Sequence, residues 1–197
     1  MIVELRQYTL RPGRRDDLVE LFDAEFVESQ QELGMMVLGQ FRDLDRPDRF
    51  VWLRGFADMA VRLRGLREFY GGPVWKEHGP AANDTMLDSD DVLLLREIVP
   101  LDRIIPAPSG YLTATVWFRD RPFDDEFTAW FTSQDTGAVA VLSTEYAAND
   151  FPALPVRDEH AFVWFARHDD TVEVPTRFGI TSIDGLRLSP TTRSALR

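Results

Sequence analysis

The tripeptide Phe50-Val51-Trp52 returns as Phe162-Val163-Trp164, 112 residues further along a chain of 197. An internal repeat of this kind means that one structural unit has been used twice, which limits the fold sharply. Tyr8 and Trp117, each just ahead of the first turn of its half, stand in equivalent places. Two such units in one polypeptide can pair their sheets without a second subunit.

The first unit reads as β-α-β-β-α-β, the ferredoxin-like order. Ile2 to Leu10 alternates, with Val3 and Leu5 on one face and Glu4, Arg6 and Tyr8 on the other. Arg11-Pro12-Gly13 is a turn. Arg14 to Leu33 is a helix with Leu18, Leu21, Phe22 and Phe26 at helical spacing, and Gly34 ends it. Met35 to Arg42 and Arg49 to Leu53 are strands joined by a turn from Asp43 to Asp48. Asp58 suits the N-cap of a second helix, whose buried stripe is expected at Met59, Leu63, Leu66 and Tyr70. Pro73 opens a short helix carrying Trp75 and His78, which runs into a Gly/Pro-flanked loop past Asn83. Val92 to Arg96 is apolar enough for a strand covered on both faces.

Pro100, Pro106 and Pro108 mark a linker, dividing the chain into residues 1–99, a linker over 100–109 and a second half over 110–197. The pattern then restarts with a strand from Tyr111 to Phe118. A shorter helix opened by Pro122 follows, then a strand from Ala138 to Tyr146, the repeated Phe162-Val163-Trp164 and a final strand near Leu186. From Trp52 to Val92 is 40 residues, whereas from Trp164 to Leu186 is 22. The second half has thus lost most of the segment that holds Trp75, His78 and Asn83, and a site built there occurs once per chain. The fold expected is α+β, two tandem ferredoxin-like halves pairing as an intrachain α/β barrel. The mixed strand face with Arg6, Tyr8 and Trp52 is expected to meet the opposite sheet and line the barrel cavity.

The first half resembles the NIPSNAP family. The resemblance rests on Glu4-Leu5-Arg6-Gln7-Tyr8-Thr9-Leu10 with Pro12-Gly13, on Phe41-Arg42-Asp43, and on Asp48 through Phe56. It continues through Phe69-Tyr70, Pro73, Trp75, His78, Asn83, Thr85-Met86 and Asp88-Ser89-Asp90 before Val92 to Arg96. It implies a dimeric α/β-barrel fold, in a wider group that includes cofactor-independent monooxygenases and heme-handling enzymes. No agreed reaction comes with the family itself.

A formal net charge of -11 argues against nucleic acid and anionic membranes as partners. The absence of cysteine excludes disulfides, thiol nucleophiles and Cys-type metal sites. The N-terminus reads as a strand from its first residues rather than as a leader, and a cytoplasmic location is expected. Phosphate-binding glycine loops, the serine-hydrolase elbow and the zinc-protease motif do not occur. No cofactor and no metal site are expected. Asp88, Asp90 and Asp91 read as a solvated turn, and His160 and His168, about 26 Å apart along an extended strand, cannot share a metal.

His78 is the candidate acid/base, either moving a proton at an activated aromatic carbon or simply fixing its loop through a backbone carbonyl. Arg6 and Tyr8 either bind a carboxylate or phenolate, or Arg6 is paired internally with Glu4 or Glu97. With Tyr70, Trp75, Asn83 and Met86 they would border a cavity for a small apolar or aromatic ligand. Three functions follow as alternatives: a small-molecule binding protein, a cofactor-independent monooxygenase, or a protein-interaction module. The chain is expected as a monomeric pseudo-dimer or a homodimer.

Overall fold

A computed structural model describes residues 1–101, 110–167 and 172–196. Eight strands close into one antiparallel barrel: β1 (Ile2–Leu10), β2 (Met36–Asp43), β3 (Arg49–Phe56), β4 (Met86–Val99), β5 (Leu112–Arg119), β6 (Ala140–Thr144), β7 (His160–Ala166) and β8 (Ile180–Pro190). They lie in the order β1-β3-β2-β8-β5-β7-β6-β4. The first four strands are therefore adjacent as β4-β1-β3-β2 and the last four as β8-β5-β7-β6. The two seams are short. β2 meets β8 from Phe41↔Pro190 to Asp43↔Leu188, and β4 meets β6 from Leu95↔Thr144 to Val99↔Val141.

The repeated tripeptide keeps its frame. Tyr8 pairs with Phe50 and Arg6 with Trp52, while Trp117 pairs with Phe162 and Thr115 with Trp164. Register places Glu4 opposite Arg54 and, correspondingly, Thr113 opposite Ala166.

Helices cover the outside of the barrel. Between β1 and β2 run α1 (Arg15–Leu21), one wide π turn over Phe22–Phe26, and α2 (Glu28–Gln31), where a single uninterrupted helix was expected. Between β3 and β4 run α3 (Met59–Gly71) and α4 (Pro73–Thr85). The expected loop after His78 is in fact helical, with Pro80 inside α4. Pro80 and Lys76, whose carbonyl loses its helical partner, are both exposed, so water can satisfy the freed oxygen. The aspartates Asp88, Asp90 and Asp91 belong to β4 rather than to a turn. Helix α5 (Asp125–Thr132) lies between β5 and β6. Between β7 and β8 the described residues hold only a 3₁₀ turn, Thr176–Phe178. Of the linker expected over 100–109, residues 102–109 lie outside the described residues, as does His168.

The strand faces are the reverse of the expectation. Val3, Leu5, Val51, Leu53, Leu93 and Leu95 point into the barrel and meet Ala114, Val116, Phe118, Val163, Phe165, Leu186 and Leu188 from the other half. Tyr8, Phe50 and Trp52 face outward, under the helices. Both faces of β1 are buried, so alternation alone could not say which was which. The physical reason is charge. Glu4 and Arg6 share the Tyr8 face, and helices can offer polar partners where a barrel filled with aliphatic chains cannot. Among the described residues no helix is long and apolar enough to cross a membrane.

Candidate functional site

Buried aliphatic and aromatic side chains of both halves meet inside the barrel, where the cavity was expected, and an apolar cavity lies between the outer face of β1 and β3 and the helices. Its walls include Tyr8, Phe22, Phe26, Trp52, Phe69, Tyr70, Trp75 and Met86. Its free volume is about 20 Å³, room for roughly one water molecule. The π turn sets Phe22 and Phe26 edge to face at 5.9 Å, both toward this cavity. Gly79, one turn beyond Trp75, lets the indole lie against α4: a Cβ there would sit 2.7 Å from Trp75 Cε2. Tyr70, Trp75 and Met86 are only half-buried and form the rim. The segment after β6 closes that rim, with Phe151 stacked on Tyr70 at 6.0 Å between ring centres.

Of the residues singled out in the sequence, Tyr8, Tyr70, Trp75 and Met86 come together around the cavity. His78 and Asn83 do not. Both ride on α4; Asn83 is exposed, and His78 Nε2 stands 3.4 Å from Glu25 Oε2 and 3.9 Å from Glu77 Oε2.

Arg6 lies beside the cavity in a buried ionic cluster. Glu4 Oε2 accepts from Arg6 Nη1 (3.0 Å) and from Arg54 Nε and Nη2 (3.1 and 2.7 Å), and Glu4 Oε1 accepts from Arg62 Nε (2.8 Å). The internal pairing with Glu4 considered for Arg6 is therefore the one present. Arg6 Nε also donates to the Tyr8 hydroxyl at 2.9 Å, Arg54 Nη1 to Gln30 Oε1 at 3.0 Å, and Arg62 Nη1 to Asp150 Oδ1 at 2.6 Å. Burial alone would push the Glu4 carboxyl up, but Arg54, Arg6 and Arg62 together hold it far below the usual carboxylate range. Burial pushes the Tyr8 phenol up, Arg6 opposing and Tyr70 adding to it.

Sequence reading missed Arg54, Arg62 and the Asn149-Asp150-Phe151 segment. The buried stripe of α3 is Arg62, Gly65, Leu66 and Phe69, sharing only Leu66 with the expected one, because the Arg62 guanidinium reaches Glu4. An arginine one turn before Leu66 was the available signal. In the second half the corresponding outer face is filled by packed rings: Trp117 lies 6.1 Å from Phe162, 5.8 Å from Trp164 and 5.5 Å from Phe131. A second, open groove of about 310 Å³ lies on the outer side of the segment after β6, where the Tyr146 hydroxyl is 3.2 Å from His160 Nδ1.

Comparison with known proteins places these features in context. The NIPSNAP family model matches residues 3–98. Among solved structures, a protein of Fusobacterium nucleatum provisionally named a monooxygenase aligns with 96% of this chain and 91% of its own, at 10% identity and a TM-score of 0.62. Another so named, from Lactobacillus acidophilus, aligns with 96% of this chain and 93% of its own, at 14% identity and a TM-score of 0.57. A NIPSNAP family protein from Agrobacterium tumefaciens is 22% identical over 51% of this chain and 97% of its own, with a TM-score of 0.45. No curated protein is detectably similar.

Proposed function

Since residues 3–98 match the NIPSNAP family model, we propose that the chain binds a small aromatic molecule in the cavity of that domain, between the sheet and the helices. The two halves of the chain are read as copies of one ferredoxin-like unit, of which the second has become a structural partner. The observation that carries the proposal is the contrast between their outer faces. One keeps an aromatic cavity with a half-buried rim; at the same strand positions of the other, Trp117, Phe162 and Trp164 pack directly against Phe127 and Phe131. Filling such a space is the cheaper solution for stability alone, so a cavity kept unfilled among rings argues for an occupant.

The cavity has to widen to admit a ring. The rim side chains Tyr70, Trp75 and Met86, with Phe151 over them, are the parts able to move without disturbing the sheet. Calorimetric titration with 2-naphthamide and with 2-naphthoate tests this. A single saturable site for either compound that is lost in Trp75→Ala supports it; no heat of binding of either to the wild type overturns it.

A second reading is turnover, as a cofactor-independent monooxygenase. The likeness over 96% of the chain to two proteins provisionally named monooxygenases favours it. His78 would be its acid/base, with Asn83 and Trp75 positioning the ring and dioxygen, and α4 would have to turn to bring His78 and Asn83 to the cavity. Oxygen uptake with a hydroxylated naphthalene, abolished in His78→Ala at unchanged melting temperature, is the result this reading requires.

A further inference from the structure

We propose that the buried cluster of Arg6, Arg54 and Arg62 receives an acidic oxygen of the ligand, so that the cavity takes an aromatic acid, a carboxylate or phenolate on a ring, rather than a neutral hydrocarbon. This rests on the reading of the cavity as a binding site and adds the chemical class of its occupant.

Three guanidiniums face two carboxylates, Glu4 and Asp150. One positive charge is left among three guanidiniums that are themselves buried, where an uncompensated charge is costly. Tyr8 could supply the missing anion by ionising, but burial pushes its phenol the other way. Two buried donors beside the cluster, Trp52 Nε1 and Arg62 Nη2, have no hydrogen-bond partner among the described residues. Both lack an acceptor, which is what an anionic oxygen provides. The cluster also adjoins the cavity: Tyr8, Gln30 and Trp52 line it and are held by Arg6 and Arg54, with Arg54 5.0 Å over the Trp52 ring and 6.0 Å over that of Tyr70.

The chain already shows how such a ligand would sit. Asp150 places a carboxylate on Arg62, and its neighbour Phe151 places a ring on Tyr70. An aromatic acid offers the same two groups in one molecule. The second half has none of this, since Thr113, Thr115 and Ala166 stand where Glu4, Arg6 and Arg54 stand in the first.

The test is calorimetric titration of the whole chain with 2-naphthoate and with 2-naphthamide. The acid is expected to bind at least tenfold more tightly than the amide. Arg62→Gln should erase that difference. Asp150→Asn, a change on a partly exposed segment, should tighten naphthoate severalfold and leave naphthamide unchanged, and it decides the matter if Arg62→Gln does not fold. Equal affinity for acid and amide would overturn this inference and leave the binding cavity standing. So would an unchanged ratio in Asp150→Asn. Binding of neither compound would overturn both.

Discussion

Glu4 Oε1 meets Arg62 Nε at 2.8 Å with both side chains fully buried, tying β1 to α3. The same carboxylate serves Arg6 and Arg54. Glu4→Gln leaves three guanidiniums without their shared counter-charge, and breaking a buried ionic group from one side costs about 3–5 kcal/mol. The loss should depend on pH. The Glu4 carboxyl is held below its ordinary value in the folded protein, so its contribution is complete above the unfolded value of about 4.3 and fades as the pH falls below it. Urea midpoints at pH 7 and pH 3.5 should show wild type and variant drawing together in acid. A gap of constant size at both pH values would contradict this account.

Gly79 and Trp75 make a second, purely steric prediction. A methyl group at Gly79 would lie 2.7 Å from Trp75 Cε2 and 2.8 Å from Cδ2, closer than carbon atoms approach. The indole must then leave its place against Phe26, Phe69 and Tyr70. Alanine favours helix over glycine, yet overpacking costs about 1–3 kcal/mol and should win. Gly79→Ala is expected to lower the melting temperature and to shift the tryptophan emission to the red. A stabilised variant with unshifted emission would show that the ring has room.

How far the sequence revealed this site can be judged residue by residue. The Tyr8, Tyr70, Trp75 and Met86 grouping was readable, because aromatic spacing on strand and helix survives in any packing. Which side of the sheet Tyr8 faces was not, since β1 is buried on both sides and its alternation is symmetric to exchange of the faces. The continuation of the Trp75 and His78 helix to Asn83 was hidden by Gly79 and Pro80, which read locally as a break; the first is there for Trp75 and the second is tolerated on an exposed face. The partners of Arg62 could not be named either, because they are Glu4, 58 residues before it, and Asp150, 88 residues after it.

Asp58 and Asp124 cap α3 and α5 in the same manner, accepting from Val61 N at 2.8 Å and from Phe127 N at 2.9 Å. They should not be worth the same. Asp124 also faces the buried guanidinium of Arg119 at 3.2 Å. Asp58→Ala should cost about 1 kcal/mol and Asp124→Ala about 2 kcal/mol, the upper end for a cap. Asp124→Asn keeps the capping oxygen and drops the charge, so its denaturation midpoint should fall between wild type and Asp124→Ala. Equal costs for the two alanine variants would mean that Arg119 is satisfied without Asp124.

Within the chain, β8 covers the free edge of β2 and β6 that of β4, and the apolar inner face of each half covers the other. Nothing in that arrangement calls for a second copy, so light scattering should find the intact chain at its own mass of 22.6 kDa. Residues 1–99 alone would uncover Val3, Leu5, Val51, Leu53, Leu93 and Leu95 at once. Six aliphatic side chains returned to water cost on the order of 10 kcal/mol, more than a domain of that size can spare. The fragment should therefore pair with itself, β2 of each copy meeting β4 of the other, and elute at twice its mass. A folded, monomeric fragment would mean that the inner face is covered in some other way, and the barrel would then not be what holds the first half together.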